Sequence, residues 1–351
     1  GQATGFGADK AAPAAAKDAS SDELDLEDEL EFLAEDVVFS AARHEQKRGF
    51  SPSAVIVITR EDIEASPAAT LVELLRHYPA VHLLVNNPSH TLVHLRGSYR
   101  VLLMLDGREL NQELFPAAFF ESLNVGLNEI ERIEIVLGPN SALYGANAVS
   151  AVIDITTRKP KKDFEADLSL KAGQHGSTIL GGRLGGIWGP VSLQGALRMD
   201  DALSWQDRGI KAKRLLRNFN TLRIDLGPGD RALTLDAGMV SGTGRIYSIM
   251  GYMDMDRLII AHGSALFEWD SLFADSDSFK AGARWYNLRT DFVLDLDLVL
   301  LQSGEETLLG KADPFSLTGD TFHADMQYDL DLFDDALLLI MGTDFRYTNY
   351  R

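Results

Sequence analysis

The sequence predicts an α+β domain followed by antiparallel transmembrane β-barrel strands. Three observations carry that expectation. Residues 50–160 mix apolar strand-like runs with helical stretches and tight-turn signals. From residue 161 onward, segments of roughly ten residues alternate apolar and polar side chains, the pattern of membrane strands. Aromatic residues gather near the ends of those segments, at Trp188, Trp285, Tyr286, Tyr347 and Tyr350.

The totals bound the function classes. A chain of 351 residues with 45% apolar content can bury a sizeable core. A formal charge of −19 speaks against nucleic acid, because no excess of Lys or Arg exists to neutralise phosphates. The absence of cysteine rules out a disulfide scaffold and thiolate metal sites. No apolar run of about 18 residues is present, so no transmembrane helix is expected, which leaves membrane strands open. The chain starts at Gly1 with no basic-then-apolar leader, as in a cytosolic chain or one whose signal peptide has been removed.

Four regions follow along the chain. Residues 1–34 are Ala-rich, then acidic. Ten acidic residues and no basic one lie between Asp18 and Asp36, which predicts a disordered, solvated arm. Residues 35–49 form a short β-prone linker. Within residues 50–160, "SAVIVIT" (53–59) reads as a strand. Ser66 and Pro67 suit the N-cap and first position of a helix with an apolar face at Leu71, Leu74 and Leu75, which Tyr78-Pro79 closes. "VHLLV" (81–85) and "TLVHL" (91–95) flank a polar loop. "RVLLMLDGREL" runs into an Asp106-Gly107 hairpin turn, "PAAFFESL" reads as a short helix, and "IERIEIV" alternates with period two.

Residues 161–351 alternate more strictly. In "FEADLSLKAG", Ala166, Leu168, Leu170 and Ala172 oppose Glu165, Asp167, Ser169 and Lys171. "FHADMQYDLDL" (322–332) sets Phe322, Ala324, Met326, Tyr328, Leu330 and Leu332 against His323, Asp325, Gln327, Asp329 and Asp331. A soluble β-sandwich also alternates, but its strands are commonly about five or six residues long. The longer segments here, about ten of them, favour a barrel.

The ordered motifs of residues 35–160 resemble those of TonB-dependent outer-membrane receptors. "EDVVFSA" resembles the TonB box. "VIVITREDIEASPAATLVELLRHYPAV", "VHLRG", "VLLMLDGREL" and "IERIEIVLGPNSALYGANAVSAVIDITTRKP" resemble the plug domain that sits inside the barrel. The resemblance implies an outer-membrane receptor in the bacterial cell outer membrane. It implies energy-coupled import of a scarce large solute such as a ferric siderophore, cobalamin, haem or a sugar. Its partners would be the TonB periplasmic domain, the imported ligand and outer-membrane lipid, with no nucleic acid, cofactor or metal.

Residue by residue, the resemblance assigns TonB binding to Glu35, Asp36, Val37, Val38, Phe39, Ser40 and Ala41. A short extended segment flanked by disorder can add to a partner's sheet edge, although the same residues also read as the first strand of the domain. Ligand contact falls on two apical loops, at Asn86, Asn87, Ser89, His90, Asn111, Gln112 and Phe115, which also read as plain polar turns. His90 lacks a second ligand at metal spacing. Arg96, Glu131 and Glu134 are expected to latch the plug to the barrel. Leu137 departs from the family pattern, which commonly places Arg before Gly-Pro.

A plugged lumen needs about 22 strands, so about ten make an incomplete barrel. An open sheet would leave bare edges that lipid does not tolerate. The expectation is a truncated or partial chain, or a second chain that completes the barrel. The competing reading is a non-importing component of an outer-membrane assembly or split receptor. No nucleophile motif, Gly-rich phosphate loop or metal-ligand cluster supports an enzyme.

Overall fold

The computed structural model describes residues 37–38, 46–47, 53–87, 90–111, 120, 123–145, 147–161, 163–173, 176–203, 214–227, 231–248, 251–270, 277–294, 299–302, 305–308, 315–332 and 337–351. The chain divides into two units, Gly1–Pro52 and Ser53–Arg351. In the first, β1 (Val37–Val38) pairs antiparallel with β2 (Gln46–Lys47). The acidic arm, and Glu35, Asp36, Phe39, Ser40 and Ala41, lie outside the described residues.

The second unit holds a small mixed sheet and a large antiparallel one. The small sheet combines β3 (Ala54–Ile58), β6 (Val101–Leu105), β7 (Arg108–Glu109), β8 (Ile130–Leu137) and β9 (Ala151–Thr157) in the order β3-β8-β9-β6-β7. Only β6 and β9 run parallel. Ile58, Ile133, Ile135, Ile153 and Ile155 are fully buried at its centre with Leu74 and Leu75. β4 (Val81–Asn87) and β5 (His90–Leu95) form a separate hairpin that buries Val81, Val93 and Leu95 against the same core.

The helices differ from expectation. Thr59 caps α1 (Arg60–Ala65) through a reciprocal capping box with Asp62, and Ser66 sits at that helix's C-cap rather than at an N-cap. Thr70 caps the next helix, α2 (Leu71–Leu75), with Glu73 N donating to its hydroxyl. The apolar face of Leu71, Leu74 and Leu75 is buried as expected. Most of "PAAFFESL" lies outside the described residues.

The strand–turn–strand at 130–157 is held by local bonds. Gly138 (φ 132°) reverses the chain after β8. Asn140 donates to Gly138 O at 3.0 Å, and Ser141 Oγ donates to Ala148 O at 3.0 Å. The short helix α3 (Ser141–Tyr144) ends at Gly145, whose φ of 81° excludes most side chains. Leu137 is partly buried and packs against the apolar core.

The large sheet runs β10 (Glu165–Ala172), β11 (Thr178–Trp188), β12 (Val191–Leu203), β13 (Arg214–Leu226), β14 (Arg231–Ser248), β15 (Gly251–Asp270), β16 (Asp277–Leu294), β19 (Phe315–Leu332) and β20 (Leu337–Tyr350). These nine strands pair antiparallel in chain order. The sequence suggested about ten; β17 (Val299–Gln302) and β18 (Glu305–Leu308) form their own hairpin outside the sheet. By strand connectivity, residues 173–177, 204–213, 249–250 and 295–314 join strands at one end of the sheet, and residues 189–190, 227–230, 271–276 and 333–336 join them at the other, so the two longest joins share one end. Outer-membrane barrels carry long loops outside and short turns on the periplasmic side, which orients the wall.

Candidate functional site: the plug–wall interface

Alternation decides which wall side chains meet the plug. Along β10 the even-numbered residues are exposed and the odd-numbered ones half-buried. Leu168 and Leu170 keep 82% and 70% of their surface exposed, whereas Arg183 on the facing row of β11 keeps none. The apolar face therefore points away from the plug and the polar face towards it.

The β6–β7 hairpin projects from the small sheet into that polar face. Asp106 and Gly107 take φ of 48° and 72°, the left-handed pair that a two-residue hairpin turn demands. The Asp106 carboxylate accepts from Thr157 N at 2.8 Å and Thr157 Oγ1 at 2.7 Å, which ties the turn to β9. It also pairs with Arg223 of β13 at 3.1 Å. Arg108 is buried and meets Asp236 of β14 at 3.0 Å, and His262 Nε2 lies 3.0 Å from the same oxygen. Burial pulls the Arg108 pKa below its ordinary value, against the opposing pull of Asp236 and Asp106. Glu109 pairs with Arg346 of β20 and accepts from Asn147 at 2.6 Å. Gly107 O accepts from Arg284 of β16 at 3.2 Å, and Arg284 pairs with Asp325. An acid–base–acid sequence on the hairpin thus meets base, acid and base on the wall.

A second contact lies at residues 123–129. Arg198 of β12 donates to Val125 O and stacks 3.8 Å over Phe219. Asn124 donates to Asn220 O at 2.8 Å. It passes Gly238, where an added Cβ would lie 2.2 Å from Asn124 Nδ2. Glu129 is buried, accepting from Gly126 N at 2.7 Å and Thr221 Oγ1 at 3.3 Å. Burial raises its pKa, only partly offset by the Gly126 hydrogen bond and Arg198.

The exit from plug to wall is also charged. Arg158 contacts Asp167 at 3.4 Å, and Arg183 spans Asp167 at 3.3 Å, Glu165 at 3.0 Å and Gln194 at 2.9 Å. Between plug and wall lies a cavity of about 50 Å³, lined in part by the charged residues Asp106, Arg108, Glu129, Arg223 and Asp236. It has room for water.

The residues singled out from sequence fall differently. Arg96 is exposed in a turn at φ 51°. Glu134 pairs with Arg132 at 2.8 Å, and Glu131 pairs with Lys161 at 3.2 Å and with Arg158 at 3.9 Å. Arg158 links Glu131 to Asp167 of the wall. Asn111 spends its amide inside the plug, accepting from Leu103 N at 2.8 Å and donating to Val101 O at 2.9 Å. Asn86, Asn87 and His90 sit at the β4–β5 hairpin tip, where Asn87 and His90 pair. Ser89, Gln112 and Phe115 lie outside the described residues. Among the described residues, no group of three or more His, Asp or Glu side chains gathers to hold a metal.

A mixed-sheet domain keyed by charge into a wall with an apolar exterior defines a plugged outer-membrane barrel. Residues 48–152 match the family model described as the TonB-dependent receptor plug domain. The chain belongs to the TonB-dependent receptors, outer-membrane proteins, and carries the plug and part of the barrel. It is 35% identical over 256 residues to the vitamin B12 transporter BtuB of Vibrio cholerae, covering 72% of this chain and 35% of that protein. It is 28% identical over 220 residues to an iron-regulated outer membrane virulence protein of the same species, covering 58% of this chain and 33% of that one. The chain thus spans about a third of these curated relatives. The siderophore receptor PirA of Acinetobacter baumannii shares the fold at a TM-score of 0.65 and 17% identity, over 84% of this chain and 48% of PirA. The copper transporter OprC shares it at a TM-score of 0.66 and 15% identity, over 85% of this chain and 46% of OprC.

Proposed function

We propose that this chain acts in TonB-dependent, energy-coupled import of a scarce large solute across the outer membrane. Cobalamin or a ferric siderophore is the cargo class that its relatives suggest. The supporting observation is the plug itself, fixed to the polar face of the wall by the β6–β7 hairpin. A pore blocked in this way passes cargo only if work is done on the plug.

Residues 35–41 are the proposed handle for the TonB periplasmic domain. Val37–Val38 already has the extended conformation that strand addition needs. The tip of the β4–β5 hairpin, at Asn86, Asn87, Ser89 and His90, is the proposed cargo contact, with Gln112 and Phe115 in the neighbouring loop. Val37→Pro removes an N–H required for pairing. It is expected to abolish uptake of labelled cobalamin or ferric siderophore while leaving surface binding intact. Uptake at the unsubstituted rate would overturn the handle assignment. The second reading is a non-importing assembly component or a split receptor completed by another chain. It would be favoured if neither binding nor uptake of any such cargo were detected.

A further inference from the structure

The outward face of the wall carries a site that the import mechanism does not use. Asp236 faces the plug, so alternation turns Leu235, Leu233 and Arg231 of β14 outward. Register then lays out one outward row near the short-turn end. Arg231 pairs with Trp269, Trp269 with Phe279, and Phe279 with Tyr328. The next row inward along the strands is Leu233, Phe267, Ala281 and Met326. The one after it is Leu235, Ala265, Ala283 and Ala324. An aromatic rim therefore borders a shallow apolar trough floored by alanines.

Arg231 stands at the head of this trough. Its guanidinium lies 4.0 Å from the centroid of the Trp269 ring. Phe267 braces that indole edge-on, with ring centroids 6.0 Å apart and an interplanar angle of 88°. Arg231 is exposed and has no ion pair among the described residues, in a chain with 52 acidic and 33 basic residues. Two other exposed wall arginines are matched to carboxylates, Arg214 to Asp201 and Arg257 to Asp291. Arg289 is exposed without an ion pair among the described residues, and it is the indole stack that sets Arg231 apart. A guanidinium stacked flat on an indole keeps its edge N–H groups free and loses little further entropy when it binds, and that edge fits two phosphate oxygens.

We propose that Arg231 and Trp269 bind the phosphodiester of a phospholipid headgroup in the periplasmic-side leaflet, with an acyl chain lying along Phe267 and Ala281. The position fits, because Arg231 opens β14 at the short-turn end and the next outward residues along the strand are Leu233 and Leu235. The inference rests on the wall standing in the membrane and is independent of what the receptor imports.

The test is native mass spectrometry of the whole receptor, released from detergent with added phosphatidylglycerol or diacylglycerol. One phosphatidylglycerol is expected to be retained in preference to diacylglycerol. Arg231→Gln is expected to weaken retention about fivefold, the worth of one arginine near a lipid surface. Arg231→Lys should fall between the two. Heat-modifiable mobility on a gel checks that each variant is folded. Equal retention by wild type and Arg231→Gln would overturn the proposal. So would displacement of the lipid by inorganic phosphate at equal concentration, which would make this a small-anion site.

Discussion

Plug and wall use the same strand-forming residues and bury them in opposite directions. In β9 five consecutive residues, Ala151 to Ile155, are buried, because both faces of the small sheet are covered. In β10 burial alternates strictly, and it is the polar set that is covered. The plug behaves as a soluble domain with an apolar core. The wall is inverted, with lipid as solvent outside and a polar interior. The lesson is that alternation marks a two-faced strand but does not say which face is wet; the partner across each face decides that.

Removing a charge from the covered side of the wall contact should have the largest effect. Arg108→Met leaves Asp236 without its guanidinium, and losing one member of a buried pair typically costs about 3–5 kcal/mol. The expected result is a plug released at lower denaturant, read by protease sensitivity of residues 53–157. The double variant Arg108→Met, Asp236→Leu should recover most of the loss, since well-packed apolar replacements of a buried pair are often neutral.

A charge added to the opposite face tests the same inversion. Leu168→Arg places a cation on the lipid side near the middle of β10, at a cost of about 2–4 kcal/mol if that position lies at bilayer mid-depth. The yield of heat-modifiable folded protein should fall. Leu168→Ile should leave it unchanged.

Smaller still is the steric key at Gly238. Alanine there would collide with Asn124 and with Asn220 O, 2.7 Å from the new Cβ. Overpacking of this kind costs about 1–3 kcal/mol. Asn124→Gly should relieve part of it, a coupling that a double-mutant cycle would measure.

The smallest expected effect is a pH dependence. Burial raises the Glu129 pKa, so the folded state favours the protonated carboxyl. A raised acid pKa means that folding takes up a proton. The contribution of Glu129 should therefore be complete below the ordinary glutamate value and be lost as pH rises from there through the raised one. Glu129→Gln should flatten that slope in denaturation midpoints taken across the range.

Much of this was legible in the sequence, and the misses have physical causes. Alternation in "FEADLSLKAG" and "FHADMQYDLDL" located wall strands, and Asp106-Gly107 located a hairpin. The helix start was misplaced because Ser66-Pro67 is a good local signal. Thr70 caps the Leu71–Leu75 helix instead, and Ser66 closes an earlier helix whose capping box, Thr59 with Asp62, was also present in the sequence as Thr-x-x-Asp. The ion pairs of the hairpin were missed because their partners are remote: Arg108 and Asp236 stand 128 residues apart, and Glu109 and Arg346 stand 237 apart. No local period encodes such a pairing. A signal was available all the same, since "DGRE" places three charges directly after the five buried residues of β6.

The β6–β7 hairpin docks on β13, β14, β16 and β20. The chain has no cysteine, so introduced thiols report without background. Arg108→Cys with Asp236→Cys, treated in outer membranes with a short bifunctional thiol reagent, should give one intramolecular cross-link. Arg96→Cys with Asp236→Cys should give none. Cross-linking of the second pair and not the first would contradict the docking geometry.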